Sequence, residues 1–145
     1  MVHMANCGPN TKGRMFYNID VPVGKGTPPQ GRNADTELVQ WMLTQLDFLD
    51  MNNAFTGEND QKTIDAITQF QLANGPFLPD GLVSVARGVS FGPNRSPFTI
   101  VNLNRDIRRK FSGQWPIINK IAGRNMPPTL AIRIGDLLGN LSDTF

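Results

Sequence analysis

Hydrophobic and polar residues alternate with a helical period in the segment NADTELVQWMLTQLDFLD, residues 33–50. Its apolar side chains recur every three or four positions, at Leu38, Met42, Leu46 and Leu49. This spacing predicts an amphipathic helix with one face in the core. Asn33 or Asp35 can cap it, because either side chain can accept hydrogen bonds from the free amides of the first turn. Trp41 lies off the centre of the apolar face, and we expect it at the rim or exposed to solvent.

A second helical pattern follows in TGENDQKTIDAITQFQ, residues 56–71. Asn59 or Asp60 can cap this helix, and its apolar positions stack on one side: Ile64, Ile67 and Phe70. We predict that Phe70 continues this stripe into the core. For Gln71 we predict a structural role as well, because its amide can bond to the backbone of a loop between helices.

Glycine and proline mark the ends of these helices. Gly57 and Gly81 are expected to supply turn geometry, since both lie in turn-forming sequence. Pro76 cannot continue the second helix, which is expected to end near Gly75. The stretch DGLVSVARG then has a tight turn at residues 80–81 and room for one short helix.

The first 32 residues predict an irregular arm, because Gly, Pro, Asn and Lys dominate them. Only MFYNIDVPV is apolar enough to form a strand. The initial MVHM is typical of a cloning remnant, which would make residues 1–3, and with them His3, vector-derived. Cys7 is expected to be a plain thiol near a loose end of the chain.

The last third of the chain predicts further helices with a basic surface. FTIVNLNRDIRRKF places apolar residues on one face: Ile100, Leu103, Ile107 and Phe111. Its other face carries four bases, which are candidates for partner binding: Arg105, Arg108, Arg109 and Lys110. WPIINKIAG indicates a brief helix, and PPTLAIRIGDLLGNL a longer one that begins with prolines. We therefore predict an all-α protein.

The net charge of +2 is unevenly distributed. Nine acidic and six basic residues give −3 up to Gly88, and eight basic and three acidic residues give +5 from Val89 onward. The basic helix could contact nucleic acid phosphates, form a solvated face or meet an acidic partner. The acidic first half is one such partner, and no aromatic residues are interleaved with the bases as single-strand binding requires. Nucleic acid is therefore not the expected partner.

Several function classes are disfavoured by composition. One cysteine and one histidine do not suffice for a conventional zinc site or for histidine-dependent nucleophilic catalysis. Glu37 and Glu58 are the only glutamates, and both lie at helix starts, where the dipole favours negative charge. We predict a non-catalytic protein without cofactor. No run reaches the roughly 18 apolar residues of a membrane span, and no classical signal peptide is evident, which leaves cytoplasmic location or non-classical export to the periplasm or cell wall open.

Three motifs in order resemble the peptidoglycan-binding-like domain, a small three-helix module attached to many cell-wall hydrolases. DTELVQWMLTQL is similar to its first helix, TGENDQKTIDAITQFQ to its central signature, and LPDGLVSVAR to its Asp-Gly-apolar close. The family often ends its motif in Gly-x-x-Thr, where this chain has Ser-Val-Ala-Arg at 84–87. The resemblance implies a three-helix core at 33–88, between the arm at 1–32 and a basic helical extension at 89–145.

The resemblance also implies non-catalytic binding of cell-wall peptidoglycan, through peptide or sugar groups in a shallow groove. Amides, hydroxyls and bases beside an aromatic face suit such a ligand. Candidates for these groups, where the first helix meets the third, are Trp41, Gln45, Asn74, Asp80 and Arg87. A solvated surface is the simpler interpretation of each. The alternative function is a structural or adaptor protein of a secretion system or phage particle, which keeps the fold but binds a protein partner such as a cell-wall hydrolase or secretion component.

Overall fold

The computed structural model describes residues 1–6, 15–27, 33–50, 56–74, 79–88, 95–121 and 126–142. Its helices are α1 (Ala34–Gln45), α2 (Gln61–Asn74), α3 (Thr99–Lys110), a 3-10 turn (Ile118–Lys120) and α4 (Pro128–Ser142). Its strands are β1 (His3–Asn6), β2 (Met15–Asn18), β3 (Val23–Gly24) and β4 (Leu82–Val83). About half of the described residues are thus helical, and small sheets are added to the helices that the hydrophobic pattern predicts.

Helix α1 is the centre of the fold. The side chain of Asn33 caps it, because its Oδ1 accepts a hydrogen bond from the amide of Thr36 at 2.8 Å. Every residue from Asp35 to Gln45 is buried, since α2, α3, α4 and β3 all pack around this helix. The predicted apolar positions Leu38 and Met42 are in the core, but the polar residues of α1 are buried as well, so the helix is not amphipathic in the way its pattern predicts.

Helix α2 has the amphipathic form that its sequence predicts. Asp60 caps it, with Oδ1 accepting from the amide of Thr63 at 2.9 Å. The other candidate cap, Asn59, accepts instead from the amide of Gly24 at 3.0 Å. Ala66, Ile67 and Phe70 are buried, so the predicted core position of Phe70 is confirmed.

Two small antiparallel sheets correct the all-α prediction. Strand β1 pairs with β2, with Met4 opposite Tyr17, and β3 pairs with β4, with Val23 opposite Val83. The strand predicted in MFYNIDVPV is confirmed, since this stretch contains β2 and the start of β3. The short helix predicted in DGLVSVARG is wrong: β4 occupies residues 82–83, and no helix is present from 79 to 88.

Residues 2–5 pack as part of the fold, although the sequence predicts an irregular arm that begins with a cloning remnant. Val2 is fully buried, and its carbonyl oxygen accepts a hydrogen bond from Nε of Arg133 in α4 at 2.8 Å.

Tyr17 of β2 is also buried. Burial raises the pKa of its phenol, and its hydroxyl donates to the carbonyl of Pro116. Cys7 lies outside the described residues.

A hydrophobic cluster of buried side chains extends from Val2 to Ile134. It includes the apolar residues predicted for α3, among them Ile100, Leu103 and Ile107. The cluster joins residues of all three predicted regions, and the region boundaries at 32 and 88 stay a prediction. No helix in the described part of the chain combines the length and the apolar character that a membrane span requires.

Replacement of Gly24 by alanine is expected to lower the free energy of unfolding by about 2–3 kcal/mol. The φ angle of Gly24 is +117°, and a Cβ there would lie 2.2 Å from the carbonyl oxygen of Gly81. Because β3 and β4 meet at this point, the two backbones would have to separate. Urea unfolding followed by circular dichroism measures the loss.

Gly26→Ala is the matched control, since Gly26 also has a positive φ of 81° but a Cβ there would have no neighbour within 4 Å. We expect a cost of about 1 kcal/mol from backbone strain alone. Equal losses for both variants would contradict the assigned close approach of Gly24 and Gly81.

Candidate ligand-binding cleft

The amide of Gln71 holds the turn between α2 and β4. Its Oε1 accepts from the amide of Gly81 at 2.9 Å, and its Nε2 donates to the carbonyl of Leu82 at 3.1 Å. The same Nε2 lies 3.0 Å from Oγ1 of Thr99 at the start of α3. The predicted structural role of Gln71 is therefore confirmed, and it links α2, the turn and α3.

Gln40 of α1 performs the same task at the turn before α2. This side chain is fully buried, and its Oε1 accepts from the amide of Gly57 at 2.9 Å. Its Nε2 donates to Oγ1 of Thr63 at 2.9 Å and to the carbonyl of Glu58 at 3.2 Å. Gly57 and Gly81 have φ angles of 69° and 72°, so the turn geometry predicted for both glycines is confirmed.

A cleft of about 180 Å³ opens beside Gln71, between the end of α2, strand β4 and the start of α3. We call it the α2–β4–α3 cleft. Its lining combines apolar and polar side chains: Phe70, Gln71, Asn74, Asp80, Leu82, Ser84, Pro97, Phe98, Thr99 and Asn102. A mixed lining of this kind suits a ligand that has both hydrogen-bonding and apolar parts.

The polar side chains of the cleft differ in how many of their hydrogen bonds are used. Asn102 is occupied by the backbone of Ser96, with bonds of 2.9 Å from the Ser96 amide and to its carbonyl. Oδ1 of Asp80 accepts from Gln71 and from the amide of Leu82, both at 3.0 Å. For Ser84, no hydrogen bond joins its hydroxyl to another described residue. Ser84 and Asp80 are therefore the groups best able to bond to a ligand.

Two predicted ligand contacts, Trp41 and Gln45, lie in the core instead. Trp41 is 0% exposed and Gln45 1% exposed, because α1 is enclosed on all sides. The expectation of a rim or exposed aromatic at Trp41 is therefore wrong. Neither Nε1 of Trp41 nor the side-chain amide of Gln45 has a hydrogen-bond partner among the described residues.

The other three predicted ligand contacts are accessible, but only two of them line the cleft. Asn74 and Asp80 do so, and Asn74 also accepts from a guanidinium nitrogen of Arg105 at 3.3 Å. Arg87 is exposed but is not among the residues of the lining. A role in ligand binding stays a prediction for all three.

The four predicted partner-binding bases do not form one exposed face. Arg105 is 5% exposed, and its Nε contacts Oδ1 of Asp106 at 3.2 Å. Arg109 and Lys110 are exposed and Arg108 is half-buried. Lys110 donates to the backbone carbonyl of Gln45 and lies 3.8 Å from the carboxylate of Asp47. Arg105, the first base of the face predicted from helical spacing, is therefore buried.

Arg109 and Lys110 border a second, open depression of about 510 Å³. We call it the basic groove, and its lining consists of Leu46, Phe48, Ala73, Asn74, Asp106, Arg109 and Lys110.

Among the described residues, no group of three or more His, Cys, Asp or Glu side chains could hold a metal ion.

Sequence reasoning missed the residues that the end of β4 and the start of α3 bring to the cleft. Ser84, Phe98 and Thr99 line it, but none of them belongs to a helical stripe or a charge cluster. The one available signal is at Ser84, where the chain departs from the Gly-x-x-Thr that is common in the family it resembles.

The comparisons with known proteins identify one family. The family model described as "Putative peptidoglycan binding domain" matches residues 32–85, a little over one third of the chain. The description is that of a binding domain. No curated protein and no solved structure matches the chain.

Proposed function

We propose, because residues 32–85 carry a peptidoglycan-binding-like domain, that this chain binds bacterial peptidoglycan without catalysing a reaction. The matched stretch contains α1, α2 and β4 and supplies Asp80 and Ser84 to the α2–β4–α3 cleft. The single observation that carries the proposal is this coincidence of the family match with an accessible cleft of mixed lining.

We propose further that α3 completes the three-helix module together with α1 and α2. Support comes from the contacts of α3 with both other helices. Gln71 of α2 bonds to Thr99 at its start, and Asn74 of α2 bonds to Arg105 in its second half. Helix α3 also packs against α1. In this interpretation the module extends past residue 88, and the cleft lies within it.

The test is retention of the purified protein on isolated sacculi. Ser84→Tyr is expected to lower the apparent affinity at least tenfold, because a phenol ring at a half-buried wall position would fill a cleft of about 180 Å³. Ser112→Tyr places the same ring at an exposed position outside the cleft and should leave retention unchanged. Retention of Arg87→Ala measures whether this exposed base, which lies outside the cleft lining, contributes to binding.

Binding to a protein partner is the second candidate function. It is favoured by the basic groove, where Arg109 and Lys110 stand beside Leu46 and Phe48, a combination that suits an acidic segment with apolar side chains. Retention on sacculi that persists in Ser84→Tyr but disappears on charge reversal of Lys110 would place the contact with sacculi in the basic groove rather than in the cleft. Failure of the unaltered protein to bind sacculi even at low salt would contradict the peptidoglycan proposal.

A further inference from the structure

Asp80 is the only ionisable side chain among the described residues that line the α2–β4–α3 cleft. Its orientation is fixed, since Oδ1 accepts hydrogen bonds of 3.0 Å from Nε2 of Gln71 and from the amide of Leu82. The second oxygen, Oδ2, has no hydrogen-bond or ion-pair partner in the described part of the chain. One carboxylate oxygen is therefore positioned by the turn, and the other is available to a ligand.

No base of the described residues compensates Asp80 inside the cleft. Neither Arg87 nor Arg105 is part of the lining. The guanidinium of Arg105 contacts Oδ1 of Asn74 at 3.3 Å, Oδ1 of Asn102 at 3.4 Å and the carboxylate of Asp106 at 3.2 Å. The adjoining stretches 75–78 and 89–94, outside the described residues, read GPFL and VSFGPN and contain no ionisable residue.

Part of the wall of the cleft is apolar. Phe98, Leu82 and Pro97 contribute it, and Ser84 adds a hydroxyl without a partner among the described residues. A single carboxylate beside such a wall complements a cation carried on an aliphatic stem, since the stem packs on the apolar surface while the charged end meets the carboxylate. A ligand carboxylate at the same place would be repelled by Asp80.

We propose that the cleft recognises a primary ammonium group on an aliphatic chain, such as the free side-chain amine of a diamino acid in a stem peptide. This inference rests on the proposed function and names the part of peptidoglycan that the cleft would bind. It differs from the expectation from sequence, in which amides, hydroxyls and bases beside an aromatic face contact the ligand. Asp80 is the group that contacts the ammonium, and Gln71 is a positioning residue.

The experiment compares sacculi whose free amines have been acetylated with mock-treated sacculi. Acetylation should lower the apparent affinity of the unaltered protein about three- to fivefold at low salt, the range of an exposed charge pair. Asp80→Asn should cause the same loss on mock-treated sacculi and no additional loss on acetylated ones, because both changes remove the same contact. The substituted amide side chain keeps one oxygen as an acceptor for Gln71 and Leu82, so the turn should persist.

Asp65→Asn is the matched control, since Asp65 is an exposed acid of α2 outside the cleft that accepts from Gln61 at 2.8 Å. It removes the same charge and should leave retention on both kinds of sacculi unchanged. Equal retention of the unaltered protein on acetylated and mock-treated sacculi would overturn the ammonium inference and leave peptidoglycan binding intact. If the unaltered protein is retained on neither preparation of sacculi, both the ammonium inference and the peptidoglycan proposal are overturned. Thermal unfolding of each variant confirms that it is folded.

Discussion

Trp41→Ala should lower the free energy of unfolding by about 3–5 kcal/mol, the range for removing a large buried aromatic side chain. Trp41 is the largest fully buried side chain among the described residues. It belongs to α1, which α2, α3, α4 and β3 enclose, so the surrounding elements cannot collapse into the cavity without moving together. Urea unfolding followed by circular dichroism measures the difference.

Trp41→Phe is the control that removes only part of the buried volume. Phenylalanine keeps an aromatic ring and removes Nε1, which has no partner among the described residues. We expect it to cost about 1–2 kcal/mol, less than the effect of alanine. If Trp41→Ala instead kept the stability of the unaltered protein and lost retention on sacculi, Trp41 would be a ligand contact, as the sequence alone predicts.

The local rules of helix formation were sufficient for the elements that depend on neighbours in sequence. Caps by Asn33 and Asp60 and the apolar stripe ending at Phe70 are decided within one or two turns of a helix. The role of Gln71 was also predictable, because the turn at residues 80–81 begins only nine positions after it in the sequence. The resemblance to the family came from the same three motifs that carry these contacts.

The sequence predicts the wrong surroundings for Trp41 because helical periodicity identifies only one apolar face. The rest of α1 is covered by elements distant in the chain, such as α3 at Thr99–Lys110 and α4 at Pro128–Ser142. A central helix is ordinarily apolar all round. Because α1 carries buried polar residues such as Gln40 and Gln45, its sequence does not indicate a central position.

The pairing of β3 with β4 and the cleft were unpredictable for a related reason. Strands β3 and β4 are two residues long, and they form because Gly24 and Gly81 let two backbones meet that are far apart along the chain. The cleft likewise needs α3 to bring Phe98 and Thr99 to Asp80. Arg105 leaves the basic face because Asn74 and Asn102 offer it polar partners in the interior. Each of these is a tertiary contact that local propensity does not encode.

Gln40→Ala should lower the free energy of unfolding by about 3–4 kcal/mol, because it leaves buried hydrogen-bonding groups without a partner. The amide of Gly57 would lose its acceptor, and Oγ1 of Thr63 its donor from α1. The turn at residues 56–58 positions the start of α2, so its release should also weaken the packing of α2 on α1. Urea unfolding measures the effect under the conditions used for Trp41.

Alanine variants of three glutamines test this prediction, because they delete the same side chain in a buried, a partly exposed and an exposed environment. Gln71→Ala should cost about 1–2 kcal/mol, since its bonds are partly exposed and water can replace some of them. Gln69 is exposed on α2, and its replacement by alanine should change stability by about 0.5 kcal/mol or less. Gln40→Met keeps most of the volume of Gln40 and should restore only the packing part of the loss. Equal effects of all three alanine variants would show that Gln40 does not hold the turn, and full recovery with methionine would assign its contribution to volume rather than to hydrogen bonds.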